Sequence, residues 1–177
     1  MAITLIIEDG TMPEGANSYT DIAGADAYLS SRGALDWAIA DDDTKAAALV
    51  RACDTLNTYH YKGQVSAPGR VMAWPRKQMV YADGSPAPMD AIPAQVINAQ
   101  IELAGNIITD SADPLAPVDK SQGAVTSEKV DVISVSYATP ETNAYKGLTG
   151  FPAVDALLRG FLSGNGGRFG VVEVGRG

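Results

Sequence analysis

Residues 62–92, KGQVSAPGRVMAWPRKQMVYADGSPAPMDAI, hold three glycines and four prolines and repeat with neither a helical nor a strand period. Sequence of helical pattern flanks them on both sides. A connection of this length without regular structure is uncommon inside a compact domain unless it has a function or a tether. The stretch VMAWPRKQMVYADG (71–84) offers both: Trp74 and Tyr81 flank Arg76 and Lys77, with Arg70 just upstream. Rings that stack bases, interleaved with cations that hold phosphates, are what single-stranded nucleic-acid binding requires. The same residues can instead wedge the loop against a core, because a buried tryptophan contributes a large apolar area and Pro75 holds the residue before it extended. Arg70, Trp74, Arg76 and Lys77 are therefore loop anchors or nucleic-acid contacts. The anchor role is favoured, with Arg76 and Lys77 left wet or facing an acidic neighbouring subunit.

Charge argues the same way. The chain of 177 residues is long enough for one domain with a hydrophobic core, and its net charge of −8 sets up a field that repels polyanions and anionic membranes. That sum hides an asymmetry. Residues 45–77 carry six basic side chains against Asp54 alone, leaving +5, whereas the remainder carries seven basic and twenty acidic ones. The lone Cys53 excludes an intramolecular disulfide. The opening MAITLIIEDG reads as neither a signal peptide nor a membrane span, so a soluble protein made in a cytosol is expected.

The chain reads as mainly α: a small bundle of three to five helices with a β-hairpin or small antiparallel sheet and an extended C-terminal tail. ITLII (3–7) suggests a short buried strand closed by Asp9-Gly10. A helix begins near Thr20 or Asp21, buries Ile22, Ala25 and Leu29, and stops at Gly33. Residues 34–40 form a brief helical turn carrying Trp37. Asp41, Asp42 and Asp43 lack the spacing of a calcium loop and precede KAAALVRACDTLNTYHY, so they cap that helix and complement its dipole. Leu49, Cys53, Leu56 and His60 fall on one stripe, with Cys53 and His60 about 10 Å apart along the axis, too far to share a metal. Both are assigned to packing. The next helix starts at Pro93 with Ile97, Ile101, Ala104 and Ile108 as its buried stripe, widened by Val96, Leu103 and Ile107. Residues 123–138 alternate in two phases, which a bulge or a hairpin turn near Asp131 reconciles. FPAVDALLRGFL (151–162) is a last amphipathic helix that Gly164 terminates.

Residues 1–163 thus form one domain and residues 164–177 a glycine-rich arm. In that arm Arg168, Phe169, Val171, Val172 and Val174 are the expected partner contacts, since their β-forming side chains have no obvious strand nearby. A return of the arm to the domain's own small sheet is the alternative.

Catalytic, metal and cofactor sites are not expected. One histidine and one cysteine on a packing stripe leave only carboxylate chemistry, and no short motif groups the acids. The glycines of 164–170 do not fit dinucleotide spacing, because Phe169 takes the final glycine position and no helix follows.

In their order and spacing, EDGTMPEGANSYTDIAGADAYLSSRG, AWPR, ADG, AIPAQVINAQIELA and FPAVDALLRGFL resemble the head-tail adaptor (connector) proteins of tailed bacteriophages. This group is often labelled DnaT-like single-stranded DNA-binding. The resemblance covers nearly the whole chain, the glycine-rich tail being the least similar part. It implies a structural protein of the virion neck, assembled in the host cytoplasm. It further implies a ring of twelve copies beneath the portal protein, which extends the DNA channel and docks the next neck or tail-completion protein. Genomic DNA passes through such a ring without specific binding, and no membrane is involved. The other expectation is a single-stranded DNA-binding module using the basic-aromatic segment 45–81.

Overall fold

Helix α1 (Ile22–Ser30) begins where Asp21, in extended conformation, accepts a hydrogen bond from the Gly24 amide at 2.7 Å. The computed structural model describes residues 3–81, 83–110, 128–130, 133–135 and 151–163, the stretches at 128–130 and 133–135 as backbone only. After Gly33, whose φ of 70° ends the run, the short α2 (Leu35–Ile39) buries Trp37. The Trp37 Nε1 donates to Asp26 Oδ1 at 2.7 Å, and Lys45 Nζ reaches the same oxygen at 3.0 Å. Burial disfavours the Asp26 carboxylate, yet these two hydrogen bonds and the lysine charge outweigh it and hold its pKa below the ordinary value.

Helix α3 (Asp42–Asn57) is capped by Asp41, which accepts from the Thr44 amide at 2.7 Å, with Asp42 and Asp43 in its first turn. Leu49, Ala52, Cys53 and Leu56 are fully buried. Burial and the nearby Asp54 charge push the Cys53 thiol up to about 12. The helix stops before His60. Thr58 turns its amide and hydroxyl back onto Thr55, and His60 is exposed beyond the end rather than packed on the stripe. Its expected packing role is corrected accordingly.

Helix α4 (Ala94–Asp110) lies against α1, α2, α3 and α5, and is the centre of the bundle. Pro93 stands just before it, its carbonyl accepting from the Val96 and Ile97 amides. The most buried line runs through Val96, Ala99, Gln100, Leu103 and Ala104, while Ile97, Ile107 and Ile108 are half-buried. The expected stripe is therefore rotated towards Val96 and Leu103, because α4 has neighbours on several sides. Gln100 is buried with its amide satisfied: Nε2 donates to Ser18 Oγ and to the Leu49 carbonyl, both at 2.8 Å, and Oε1 accepts from the Tyr19 amide at 2.9 Å.

The expected strand at 3–7 does not form. One parallel bridge joins Ile7 to Ser18, and Asn17 Oδ1 accepts from the Ile6 amide at 2.9 Å. Two backbone hydrogen bonds, Asn17 N to the Ile6 carbonyl and Glu8 N to the Ser18 carbonyl, complete this short contact, and Ile3 lies exposed. The long connection carries a two-residue antiparallel ladder, β1 (Gln64–Val65) with β2 (Arg76–Lys77). Farther on, β3 (Glu128–Val130) pairs antiparallel with β4 (Ile133–Val135), Val130 opposite Ile133. The expected turn residue Asp131 between them lies outside the described residues. Helix α5 (Pro152–Leu158) takes Pro152 at its start and buries Val154 and Leu158. It ends earlier than expected, and Leu162 pairs with Tyr61 in an antiparallel bridge. The protein is mainly helical with small antiparallel strand pairs. The expected arm, including Gly164, Arg168, Phe169, Val171, Val172 and Val174, lies outside the described residues.

Candidate functional site

Trp74 has 0% of its surface exposed. Its ring meets Tyr61 edge-on at 5.4 Å and Phe161 at 5.1 Å, and Tyr81 extends the cluster to Phe161 at 5.9 Å. Such pairs each contribute roughly 0.5–1.5 kcal/mol beyond their buried area. The indole Nε1 makes no well-formed hydrogen bond, so packing holds the ring. The Trp74–Pro75 peptide bond is cis. The backbone on either side is pinned as well: the Trp74 amide donates to Tyr19 Oη at 3.3 Å and the Ala73 amide to Asn57 Oδ1 at 3.0 Å. Tyr19 Oη in turn donates to that Asn57 oxygen at 2.9 Å. Burial pushes the Tyr19 and Tyr61 phenols far above their ordinary pKa, so both stay neutral donors.

Arg76 holds backbone rather than ligand. Its Nε donates to the Lys62 carbonyl at 2.8 Å, Nη1 to Ala73 at 3.1 Å and Nη2 to Gly63 at 3.1 Å. Partial burial lowers its pKa below the ordinary guanidinium value. Gly63 has a φ of 65°, and a Cβ there would collide with the Lys77 carbonyl. Only glycine lets the two strands approach closely enough for the guanidinium to reach across.

Among the described residues, Arg70 has a more enclosed side chain than Lys45, the other buried cation. Its side chain is 4% exposed, and Nη1 lies 2.8 Å from Glu8 Oε2, itself buried. Nη2 donates to the Gly10 carbonyl at 3.0 Å. The other Glu8 oxygen accepts from the Gly10 amide at 2.8 Å and the Met12 amide at 3.3 Å. The pair ties residues 8–12 to the long connection. Nothing in the sequence points to Glu8, which is 62 positions from Arg70 and follows an apolar run.

The four predicted residues are therefore placed differently. Trp74 and Arg70 are enclosed, Arg76 is bound to four carbonyls, those of Tyr61, Lys62, Gly63 and Ala73, and Lys77 is exposed beside Gln64 across the ladder. Two of the other cations of the basic segment are partnered: Lys45 with Asp26, and Lys62, which remains exposed, with the Gly160 carbonyl at 2.9 Å. Among the described residues no group of three or more His, Cys, Asp or Glu is arranged to hold a metal ion, and no helix is long and apolar enough to cross a membrane. The arrangement is a clamp that fastens the loop to α3 and to the segment after α5.

No curated protein and no solved structure matches the chain. A family model described as "Putative DnaT-like ssDNA binding protein" matches residues 3–177, and the chain belongs to that family.

Proposed function

We propose that this chain is a structural, non-catalytic head-tail adaptor of a tailed phage. It forms a ring under the portal protein, extends the DNA channel and presents a surface to the next neck or tail component. The observation that carries this reading is the enclosure of Trp74: the aromatic-cation segment 71–84 fastens a loop with its tryptophan instead of presenting it for base stacking. A net charge of −8 is compatible with a conduit, since like charge disfavours adhesion of a passing polyanion. The resemblance of the chain's pieces, in order, to phage connectors supplies the partners. Mixing the purified protein with cognate portal rings is expected to give a complex of fixed stoichiometry by sedimentation. No complex, with both proteins folded, rejects the reading.

The family description favours a second reading, single-stranded DNA binding. With Trp74 enclosed, that function falls to the exposed Lys62 and Lys77, and it would act through phosphate contact rather than stacking. Anisotropy of a labelled oligonucleotide at low salt separates the two. The adaptor reading predicts no rise. A rise that salt abolishes, and that Lys77→Glu reduces, replaces it with the second reading.

A further inference from the structure

Helix α2 is held firmly on one side and displays aliphatic side chains on the other. Trp37 is buried, its indole bonded to Asp26, and Lys45 near the start of α3 lies 5.6 Å from the centre of the same ring. Leu35 and Ile39, one turn apart on this helix, are 76% and 84% exposed. A rigid turn that presents two large apolar side chains loses little freedom when a partner covers it, which is the economy of a preorganised contact. The surroundings are acidic. Asp36 lies in the same turn, Asp41 and Asp42 follow within three residues of Ile39, and all three are exposed. The two cations nearest in sequence are turned elsewhere. Lys45 pairs with Asp26, while Arg32 donates to the Tyr28 carbonyl, stacks on its ring and lies 3.7 Å from Glu102. Whatever covers the ridge has to bring the positive charge.

The ridge stands beside the start of α3, and the root of the C-terminal arm lies past the other end of that helix. There Ser163 donates from its amide and its hydroxyl to the His60 carbonyl. Sixteen residues of helix separate the two ends by about 24 Å. We infer that the α2 ridge is the docking point for the next neck or tail-completion protein, which receives Leu35 and Ile39 in an apolar groove edged with lysine or arginine. Charge complementarity argues for this occupant, since an apolar ridge among aspartates fits a groove among bases. A second copy is a poor source of such a groove: Lys45, Lys62, Arg70 and Arg76 all hold parts of their own chain. With the arm engaging the portal from one end of α3, the ridge at the other end is left for the following component. The inference rests on the adaptor reading and adds to it the surface that the next protein meets.

The test seats the full chain on cognate portal rings and adds the purified tail-completion protein as probe, reading its uptake by sedimentation at rising concentration. Wild type takes up the probe, and added salt weakens the uptake. The double variant Leu35→Asp, Ile39→Asp keeps its melting temperature, self-assembly and portal binding, because both side chains are exposed. Its affinity for the probe falls about tenfold or more. Asp36→Lys also lowers uptake while leaving the two aliphatic side chains in place. Uptake by the double variant equal to wild type, with portal binding intact, overturns the inference and leaves the adaptor reading standing. A wild-type portal complex that takes up no probe does the same. Uptake indifferent to salt and to Asp36→Lys refutes the basic groove. A double variant that loses self-assembly or portal binding assigns the ridge to a second copy or to the portal, and this too overturns the inference. A wild-type chain that never seats on the portal rejects the adaptor reading, and the inference falls with it.

Discussion

Removing the Trp74 ring opens a space between Tyr61 and Phe161 that neither aromatic can fill without leaving its own packing. Trp74→Ala is therefore expected to cost about 3–5 kcal/mol, read from chemical or thermal unfolding. An unchanged melting temperature contradicts the clamp. Arg70→Ala acts by another route, leaving the Glu8 carboxylate buried beside no cation. The expected loss is about 3–5 kcal/mol, more than the guanidinium's packing alone would suggest. Asp26 gives a pH signature. Its folded pKa lies below 3.8, so its stabilisation is complete above that value and is lost as pH falls through the lower, folded one. The gap in melting temperature between wild type and Asp26→Asn should thus be constant around neutrality and close below about pH 3.8. A gap that persists in acid rules out the ionised carboxylate as its source.

At the scale of elements, helices were the legible part, because an amphipathic period and an aspartate cap are local signals. Asp21 and Asp41 cap the helices they precede, and Pro152 opens the last one. Boundaries were less legible: α3 ends at Asn57 through the turn made by Thr58, although the apolar spacing continues to His60. The ITLII stretch reads as a strand on composition, but a ladder needs an extended partner, and the backbone of Asn17 and Ser18 supplies only a single bridge at its end. The stripe of α4 is rotated because α1, α2, α3 and α5 all pack on it, a tertiary fact invisible to a single-helix period. Within the site, the need for an anchor was legible from the length of the connection, and Trp74 from its chemistry. The Glu8–Arg70 pair was not, since long-range ion pairs leave no periodic trace. The tail supplies a prediction at this scale. Deleting residues 164–177 should leave the melting temperature unchanged and abolish portal binding, as expected of an arm that adds to a partner's sheet edge. Unfolding of the truncated chain assigns the tail to the core instead.

For the whole molecule, the acidic surplus and the basic segment have separate roles. Arg70 and Arg76 hold the long connection in place, Lys45 secures α2 through Asp26, and Lys62 ties that connection to the Gly160 carbonyl. The proposed role is that of a junction beneath the portal. Electron microscopy of portal rings co-purified with the full chain tests it most directly. The predicted image is a second ring of this protein seated on one end of the portal, coaxial with its channel. Bare portal rings beside a folded, unbound chain would contradict it.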